Sequence, residues 1–297
     1  MKELIGQSAL YPDPSDLRGS NAIACALTRL HEVMDLTLHG KTAVVSGSTA
    51  GIGFAAAAGL AQLGARVIVT GRTRARVDAA LAALADRIPN ARLDGFAGDL
   101  TTAVGTTALV AAHPRADIVV NNLGIFEPKP FEQIADAEWM RFFEANVMSG
   151  IRLTRPYLNG MRERNWGRVI FVSSESGLHI PVEMIHYGVT KTAQIALARG
   201  IAESLAGTGI TVNSVLPGPT KSEGVGTFVR RMAEQQRLSE AEMEQQFFEH
   251  ARPTSLLKRF LSPDEVANLI VFLCTPAASG TTGSALRVDG GVVRAIP

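Results

Sequence analysis

Tyr187 and Lys191 stand four residues apart in a stretch with helical character, Tyr187-Gly188-Val189-Thr190-Lys191. Positions i and i+4 share one face of a helix, so a phenol and an ammonium at this spacing address the same site. A tyrosine titrates near pH 10 and is a poor acid–base group at neutral pH. Bringing it down by about three units takes roughly 4 kcal/mol of differential stabilisation, which two close cations in a dry site can supply. Lys191 is one candidate cation and an oxidised nicotinamide the other. Ser174 follows an apolar run, Arg168–Ser173, where its hydroxyl could hold a carbonyl oxygen. Such a trio suits proton transfer at an alcohol or carbonyl. Spacing alone leaves coincidence open, since Tyr-x-x-x-Lys recurs by chance and Ser174 could simply end a strand.

A second constellation lies upstream. Ser46-Gly47-Ser48-Thr49-Ala50-Gly51-Ile52-Gly53 separates an apolar run from an Ala-rich helical segment. Glycines there allow close approach of the backbone to a pyrophosphate, and the helix N-terminus offers free N–H groups and partial positive charge. The spacing is Gly-x-x-x-Gly-x-Gly rather than Gly-x-Gly-x-x-Gly, and a tight turn is the competing reading. After the next apolar run, Val67–Thr70, come Gly71-Arg72-Thr73-Arg74 and no carboxylate. A carboxylate in that place would select NAD through the ribose 2′-hydroxyl, whereas a guanidinium suits a 2′-phosphate. Arg72 therefore places NADP ahead of NAD, unless Arg72 and Arg74 are merely solvated.

Elements that position these groups can be read from alternation along the chain. Strands are expected at Thr42–Ser46, Arg66–Thr70, Leu93–Ala97, Asp117–Asn121, Arg168–Ser173, Thr211–Leu216 and Leu286–Asp289. Most are continuous apolar runs, as in parallel strands covered on both faces. Helices are expected between them, among others at Gly53–Leu63, Arg74–Arg87, Glu138–Leu158 and Tyr187–Ala206. Strand–helix alternation predicts an α/β fold: a doubly wound, parallel, seven-stranded sheet of Rossmann type in a single domain. Ligands in such sheets bind beyond the carboxyl ends of the strands where strand order reverses.

Composition narrows the function further. Lys+Arg 29 against Asp+Glu 28 gives a formal charge of +1, with no basic footprint for nucleic acid or an anionic membrane. The two cysteines, Cys25 and Cys274, have neither metal nor redox spacing, and a reducing cytoplasm is expected. Residues Met1–Leu10 lack the apolar core of a secretory signal, and the run Gly53–Leu63 is too short to span a bilayer.

With these motifs in order, residues from about Leu38 to Val293 resemble the short-chain dehydrogenase/reductase family, in the single-domain branch that includes 3-oxoacyl-carrier-protein reductases. The resemblance rests on Gly47/Gly51/Gly53, Gly98-Asp99-Leu100, Asn121-Asn122-Leu123-Gly124, Asn146, Ser174 with Tyr187 and Lys191, Pro217-Gly218 and Val288-Asp289-Gly290-Gly291. The thirteen-residue interval to Tyr187 selects Ser174 rather than Ser173. Ser46 stands for the commoner Thr, and Leu123 for the commoner Ala.

The resemblance implies an NAD(P)-dependent oxidoreductase acting on a small alcohol or ketone. Tyr187 would be the general acid–base. Lys191 would hold the nicotinamide ribose and depress the Tyr187 pKa, Ser174 would bond the substrate oxygen, and Asn146 would anchor a relay water. Gly47, Ser48, Thr49, Gly51, Ile52 and Gly53 would cradle the pyrophosphate. Asp99 and Leu100 would meet the adenine, Asn122 and Gly124 would line the cofactor, and Pro217, Gly218, Thr220 and Ser222 would lie at the nicotinamide. The resemblance also implies a homotetramer. Alternatives are a 3-oxoacyl-carrier-protein reductase and a non-catalytic nucleotide sensor; the second commonly loses Tyr or Lys, and both are kept here.

Three features are particular to this chain. Glu175 and Glu183 lie in the segment bordering the substrate pocket; one reading is contact with a polar or cationic substrate group, the other an ion pair. His179, Glu183 and His186 could in principle ligate a metal, but nothing requires one and no metal is expected. The segment at about 221–253 is long and helical in pattern, with Phe228, Met232, Phe247 and Phe248 expected to face inward, and is read as a substrate lid over the main domain of residues 39–297. Residues 1–38 are read as an extension, with a helix near Ala22–Met34, of which Met1–Val33 are expected to be dispensable for cofactor binding.

Overall fold

A computed structural model describes residues 34–296. The helix expected near Ala22–Met34 lies, but for its last residue, outside the described residues, as does Cys25.

Seven strands form one parallel sheet: β1 (Thr42–Val45), β2 (Arg66–Gly71), β3 (Arg92–Ala97), β4 (Ile118–Asn121), β5 (Gly167–Val172), β6 (Ile210–Pro217) and β7 (Ala285–Val288), in spatial order β3-β2-β1-β4-β5-β6-β7. This is the doubly wound, Rossmann-type sheet that the alternation predicts. Side chains of a strand alternate between faces. Ala43 and Val45 accordingly enter one core with Val67, Val69, Val120 and Ile170, and Val44 enters the other with Ile68, Val119 and Phe171. Both faces being covered, β4, β5 and β6 are buried throughout. Only the edge strands are half-exposed, and β3 bears Asp94 paired with Arg66 of β2.

Helix α1 (Gly51–Gln62) lies against α10 (Pro263–Cys274) on the first face. Small residues make that contact close: a Cβ on Gly59 would come within 2.7 Å of Val271 Cγ2. Helix α2 (Arg74–Arg87) completes this layer through Ala80 and Leu84. The other face carries α3 (Ala103–Ala112), α5 (Ser149–Thr154), α6 (Leu158–Glu163) and α7 (Ile185–Glu203).

The helix expected over Glu138–Leu158 is not continuous. It runs as α4 (Asp136–Phe143), widens into a π-turn over Glu144–Met148, resumes as α5 and tightens to a 3₁₀ turn at Arg155–Tyr157 around Pro156. Hydrophobic periodicity cannot report such a turn, which costs regular hydrogen bonding and shifts the side chains it carries. Asn146 sits in it.

The long connection after β6 forms α8 (Glu223–Gln236) and α9 (Glu240–Gln246), joined through Arg237 in the left-handed region at φ 58°. Ser239 and Glu242 make a capping box that starts α9. Val229, Ala233, Met243, Phe248 and Phe260 form a cluster separate from the two sheet cores, with Phe247 packed against it. The inward placement expected of Phe247 and Phe248 is thus found; the side chains of Phe228 and Met232 lie outside the described ones. No helix among the described residues is long and apolar enough to cross a membrane.

Candidate functional site

Strand order reverses between β1 and β4, and the glycine loop leaves β1 at that point. Hydroxyl groups hold it there. Ser46 Oγ donates to Val120 O (3.3 Å) and accepts from the N–H groups of Asn122 (2.9 Å) and Leu123 (3.0 Å), so one side chain ties the ends of β1 and β4 together. Thr70 Oγ1 donates to Val45 O (3.0 Å) and accepts from Gly47 N (3.1 Å). Gly47 and Gly51 take φ of 62° and 57°, where a side chain is strained. Gly53 is needed for space instead: a Cβ there would lie 2.5 Å from both Asn122 Nδ2 and Gly47 O. The result is a bare backbone surface at the start of α1, a cradle that fits a pyrophosphate.

Several expected cofactor residues serve this loop with their side chains rather than the open crevice. Ser48 is fully buried, donating from Oγ to Val45 O (2.7 Å) and accepting from Thr70 N (2.9 Å), while its own N–H donates to Thr70 O (3.0 Å). Leu100 is 2% exposed, its side chain packed in the core with Ile68 and Leu109. Asn122 Nδ2 donates to Ser46 O (3.0 Å) and Gly47 O (3.1 Å), which uses both amide hydrogens. Thr49 is half-buried with its methyl over Gly71, and Ile52 is half-buried at the head of α1.

At the far end of the crevice Arg72 is exposed after β2. Arg74 pairs with Asp78 at 2.9 Å and Arg76 with Glu223 at 2.7 Å, whereas Arg72 makes no salt bridge among the described residues. Asp99 accepts from Thr101 N (3.0 Å) and Thr101 Oγ1 (2.7 Å); these bonds, and the Arg72 charge, hold its carboxyl below the usual range. On the opposite side, Gly218 abuts Asp289 so closely that a Cβ would meet its carbonyl at 2.5 Å. Thr220 Oγ1 donates back to Gly218 O (2.9 Å), and Ser222 caps α8 beside Gly51.

Asn146, Ser174, Tyr187 and Lys191 converge beyond β4 and β5. The π-turn aims Asn146 at residue 125: its Nδ2 donates to Ile125 O (3.0 Å) and its Oδ1 accepts from Ile125 N (2.7 Å). The second Nδ2 hydrogen goes to Thr190 Oγ1 (2.9 Å), which donates to Tyr187 O (2.7 Å). Both Asn146 amide hydrogens are thereby used, and its main-chain carbonyl accepts from Gln194 Nε2 at 2.5 Å. Lys191 Nζ lies 5.5 Å from the centre of the Tyr187 ring and donates to Val172 O (2.9 Å) and Gln194 Oε1 (3.2 Å). An ammonium has three donors. Nζ lies close to Gly124, where a Cβ would stand 3.4 Å from both Lys191 Nζ and Asn146 Oδ1. Neither Thr190 nor Gln194 is evident from motifs, although Gln194 lies three residues beyond Lys191 on the same helical face.

Burial dominates the electrostatics here. It pushes the Lys191 ammonium down to about 7, against the opposing charge of Glu175. Burial and Glu175 push the Tyr187 phenol well up, while a hydrogen bond shared with Ser174 and the charge of Arg252 pull it down. This order differs from the sequence expectation. Desolvation outweighs the cations, and the guanidinium of Arg252, not the ammonium of Lys191, is the cation that lowers the phenol.

Arg252, at the end of the α8–α9 segment, was not evident from any motif. It is 7% exposed and donates from Nε to Glu175 Oε1 (3.3 Å) and from Nη1 to Glu183 Oε1 (3.1 Å). Glu175 and Glu183 are thus joined through an ion pair with Arg252. Glu175 Oε2 in turn accepts a hydrogen bond from Ser174 Oγ. His186 is buried with neither ring nitrogen hydrogen-bonded, its ring centre 3.9 Å from that of Phe142, and burial lowers its pKa. His179 is exposed. Among the described residues no group of three His, Cys, Asp or Glu is placed to hold a metal ion.

A sequence profile described as enoyl-(acyl carrier protein) reductase matches residues 47–293. The chain is 47% identical over 263 residues to the uncharacterized oxidoreductase YvaG of Bacillus subtilis, covering 89% of this chain and all of that one. It is 32% identical over 263 residues to the 3-oxoacyl-[acyl-carrier-protein] reductase FabG of Aquifex aeolicus, covering 87% of this chain and 100% of the other. Its fold matches the crystal structure of L-sorbose reductase from Gluconobacter frateurii, complexed with NADPH and L-sorbose, at a TM-score of 0.83 and 31% identity, over 89% of this chain and 100% of that one.

Proposed function

The chain belongs to the short-chain dehydrogenase/reductase family, NAD(P)-dependent oxidoreductases acting on alcohols and ketones, and we propose that Tyr187 is the group that exchanges a proton with the reacting oxygen. The nicotinamide supplies the hydride when bound; the chain's own residues orient, exclude water and move the proton. The observation that carries the reading is the convergence of four side chains from separate elements. Asn146 comes from the π-turn, Ser174 from the end of β5, and Tyr187 and Lys191 from one face of α7.

Tyr187, with its phenol pushed up by burial, holds a proton ready for a developing alkoxide. Ser174 places the substrate oxygen. Lys191, fixed by Val172 O and Gln194, turns its remaining donor toward the ribose side of the crevice. The bare surface at Gly47, Gly51 and Gly53 receives the pyrophosphate. NADP is preferred over NAD because Arg72 stands beyond β2 without a carboxylate partner, and guanidinium matches phosphate in charge and geometry. The NADPH in the L-sorbose reductase complex supports the same preference, and its small ketose supports a small carbonyl or alcohol as substrate. A carrier-protein substrate would call for a basic patch at the entrance; in the lid segment Lys221 lies 4.0 Å from Glu244, and Glu223 pairs with Arg76 at 2.7 Å, so its charges are mixed.

On this reading α8 and α9 form a lid over the substrate, residues 1–33 are dispensable for cofactor binding, and family membership points to a cytoplasmic homotetramer. A panel of carbonyls and alcohols with NADPH and NADH, run beside Tyr187→Phe, tests the activity. Turnover should follow Tyr187 and favour NADPH. Undiminished turnover in the variant would refute the role of Tyr187.

A further inference from the structure

A carboxylate occupies the place where the proposed reaction needs a hydrogen-bond donor. Glu175 follows Ser174 directly, is 5% exposed, and takes the Ser174 Oγ–H on its Oε2. Its other oxygen is held by Arg252 Nε at 3.3 Å, and Arg252 is anchored by Glu183 (3.1 Å) and Ala251 O (2.8 Å). Ser176 N donates to Ser174 Oγ at 3.1 Å, fixing the hydroxyl from the other side.

A serine hydroxyl has one proton to give. Here that proton is committed to Glu175 and is not available to a carbonyl. A plain ketone can obtain it only by leaving a buried carboxylate oxygen without its donor, which is costly. A ketone bearing a hydroxyl on the adjacent carbon brings a replacement. Its two oxygens lie within hydrogen-bonding reach of each other. The carbonyl therefore takes the Ser174 proton while the neighbouring hydroxyl donates to Glu175 Oε2. A 2-oxo acid would instead set a third carboxylate against a guanidinium already shared by two.

We propose that Glu175, held by Arg252, is a specificity-determining residue that reads a hydroxyl next to the reacting carbon, so that the preferred substrates are neutral α-hydroxyketones and the corresponding vicinal diols. This rests on the roles given above to Ser174 and Tyr187.

The test compares kcat/KM with NADPH for matched pairs, hydroxyacetone against acetone and acetoin against butanone, with pyruvate as the charged comparison. The hydroxylated member should be favoured by at least about tenfold, the factor set by roughly 1.4 kcal/mol for one unsatisfied buried acceptor. In Glu175→Gln the amide oxygen faces Arg252 and the amide N–H faces Ser174 Oγ, freeing the serine proton for any carbonyl. The preference within each pair should then fall below about threefold. Equal values within the wild-type pairs, a wild-type preference for pyruvate, or a preference that survives Glu175→Gln would overturn the proposal. Should the variant melt far below the wild type, the wild-type pairs decide alone. If the wild type reduces no carbonyl at all, the role of Tyr187 fails instead.

Discussion

Replacing Gly53 by alanine tests the close approach that shapes the cofactor crevice. The added Cβ would stand 2.5 Å from Gly47 O, 2.5 Å from Asn122 Nδ2 and 3.0 Å from Ser48 Cα. Neither near neighbour can move freely: one is backbone, and Asn122 Nδ2 is pinned by hydrogen bonds of 3.0 and 3.1 Å to Ser46 O and Gly47 O. Overpacking at such a site costs about 1–3 kcal/mol. Displacing Asn122 forfeits two hydrogen bonds at about 0.5–1.5 kcal/mol each. Against this, alanine gains about 1 kcal/mol in helix propensity. The net loss centres on about 3 kcal/mol, roughly 6–12 °C in Tm for a domain of this size. Gly200 provides the control, because it lies on α7, has nothing within 4 Å of its would-be Cβ and needs no positive φ. Gly200→Ala should raise Tm by roughly 1–4 °C from propensity alone. Calorimetry and fluorescence titration with NADPH read both variants, and Gly53→Ala should also bind NADPH at least about tenfold more weakly, the factor for roughly 1.4 kcal/mol lost at the cradle. Wild-type Tm and affinity in Gly53→Ala, or an equal loss in Gly200→Ala, would refute the reasoning.

Two further outcomes concern charge. Arg72→Glu should reverse the cofactor preference: one charge-assisted hydrogen bond to a phosphate is worth about 1.5–3 kcal/mol, so NADPH kcat/KM should fall by about tenfold or more while NADH is spared. The ratio should be measured at fixed ionic strength because Arg72 is exposed, and an unchanged ratio would remove it from the site. Lys191→Met should alter the pH dependence of stability. Folding lowers the Lys191 pKa to about 7 from 10.5, so between those values the unfolded chain holds more protons and the stability of cofactor-free protein rises with pH. Above pH 10 the raised Tyr187 acts in the opposite sense, since the unfolded phenol ionises first. Denaturant titrations from pH 7 to 10 should show the wild type gaining on Lys191→Met, and parallel curves would contradict the burial of an ammonium.

Most of the sheet was legible because buried parallel strands leave unbroken apolar runs, and all seven strands, the half-exposed edges included, lie within a residue of their expected bounds. The pairing of Tyr187 with Lys191 was legible because helical spacing puts both on one face. Other features depend on contacts that no local pattern encodes. The π-turn carrying Asn146 is a shift in hydrogen bonding within a stretch whose periodicity reads as one helix. The inward turn of Ser48 follows from its bonds to Val45 O and Thr70 N, and that of Leu100 from packing against Leu109 of α3, contacts that residue type alone does not announce. Arg252 pairs with Glu175 across 77 residues of sequence, and one buried ion pair in a charge-rich segment looks like any solvated arginine until the chain folds. Glu175 and Glu183 stand out in the sequence as carboxylates beside the expected pocket, and what no local pattern shows is the cation that joins them.

The most direct test of the proposed chemistry is Tyr187→Phe with two readouts on the same protein: NADPH affinity by fluorescence titration and single-turnover reduction of a carbonyl that the wild type reduces. The account predicts NADPH affinity within about threefold of wild type, because loss of one hydroxyl leaves the glycine cradle and Lys191 in place, and reduction slowed by about 10²–10⁴-fold, the contribution of a positioned proton donor. Reduction at the wild-type rate with NADPH still bound would show that the proton comes from another group and would contradict the role given to Tyr187.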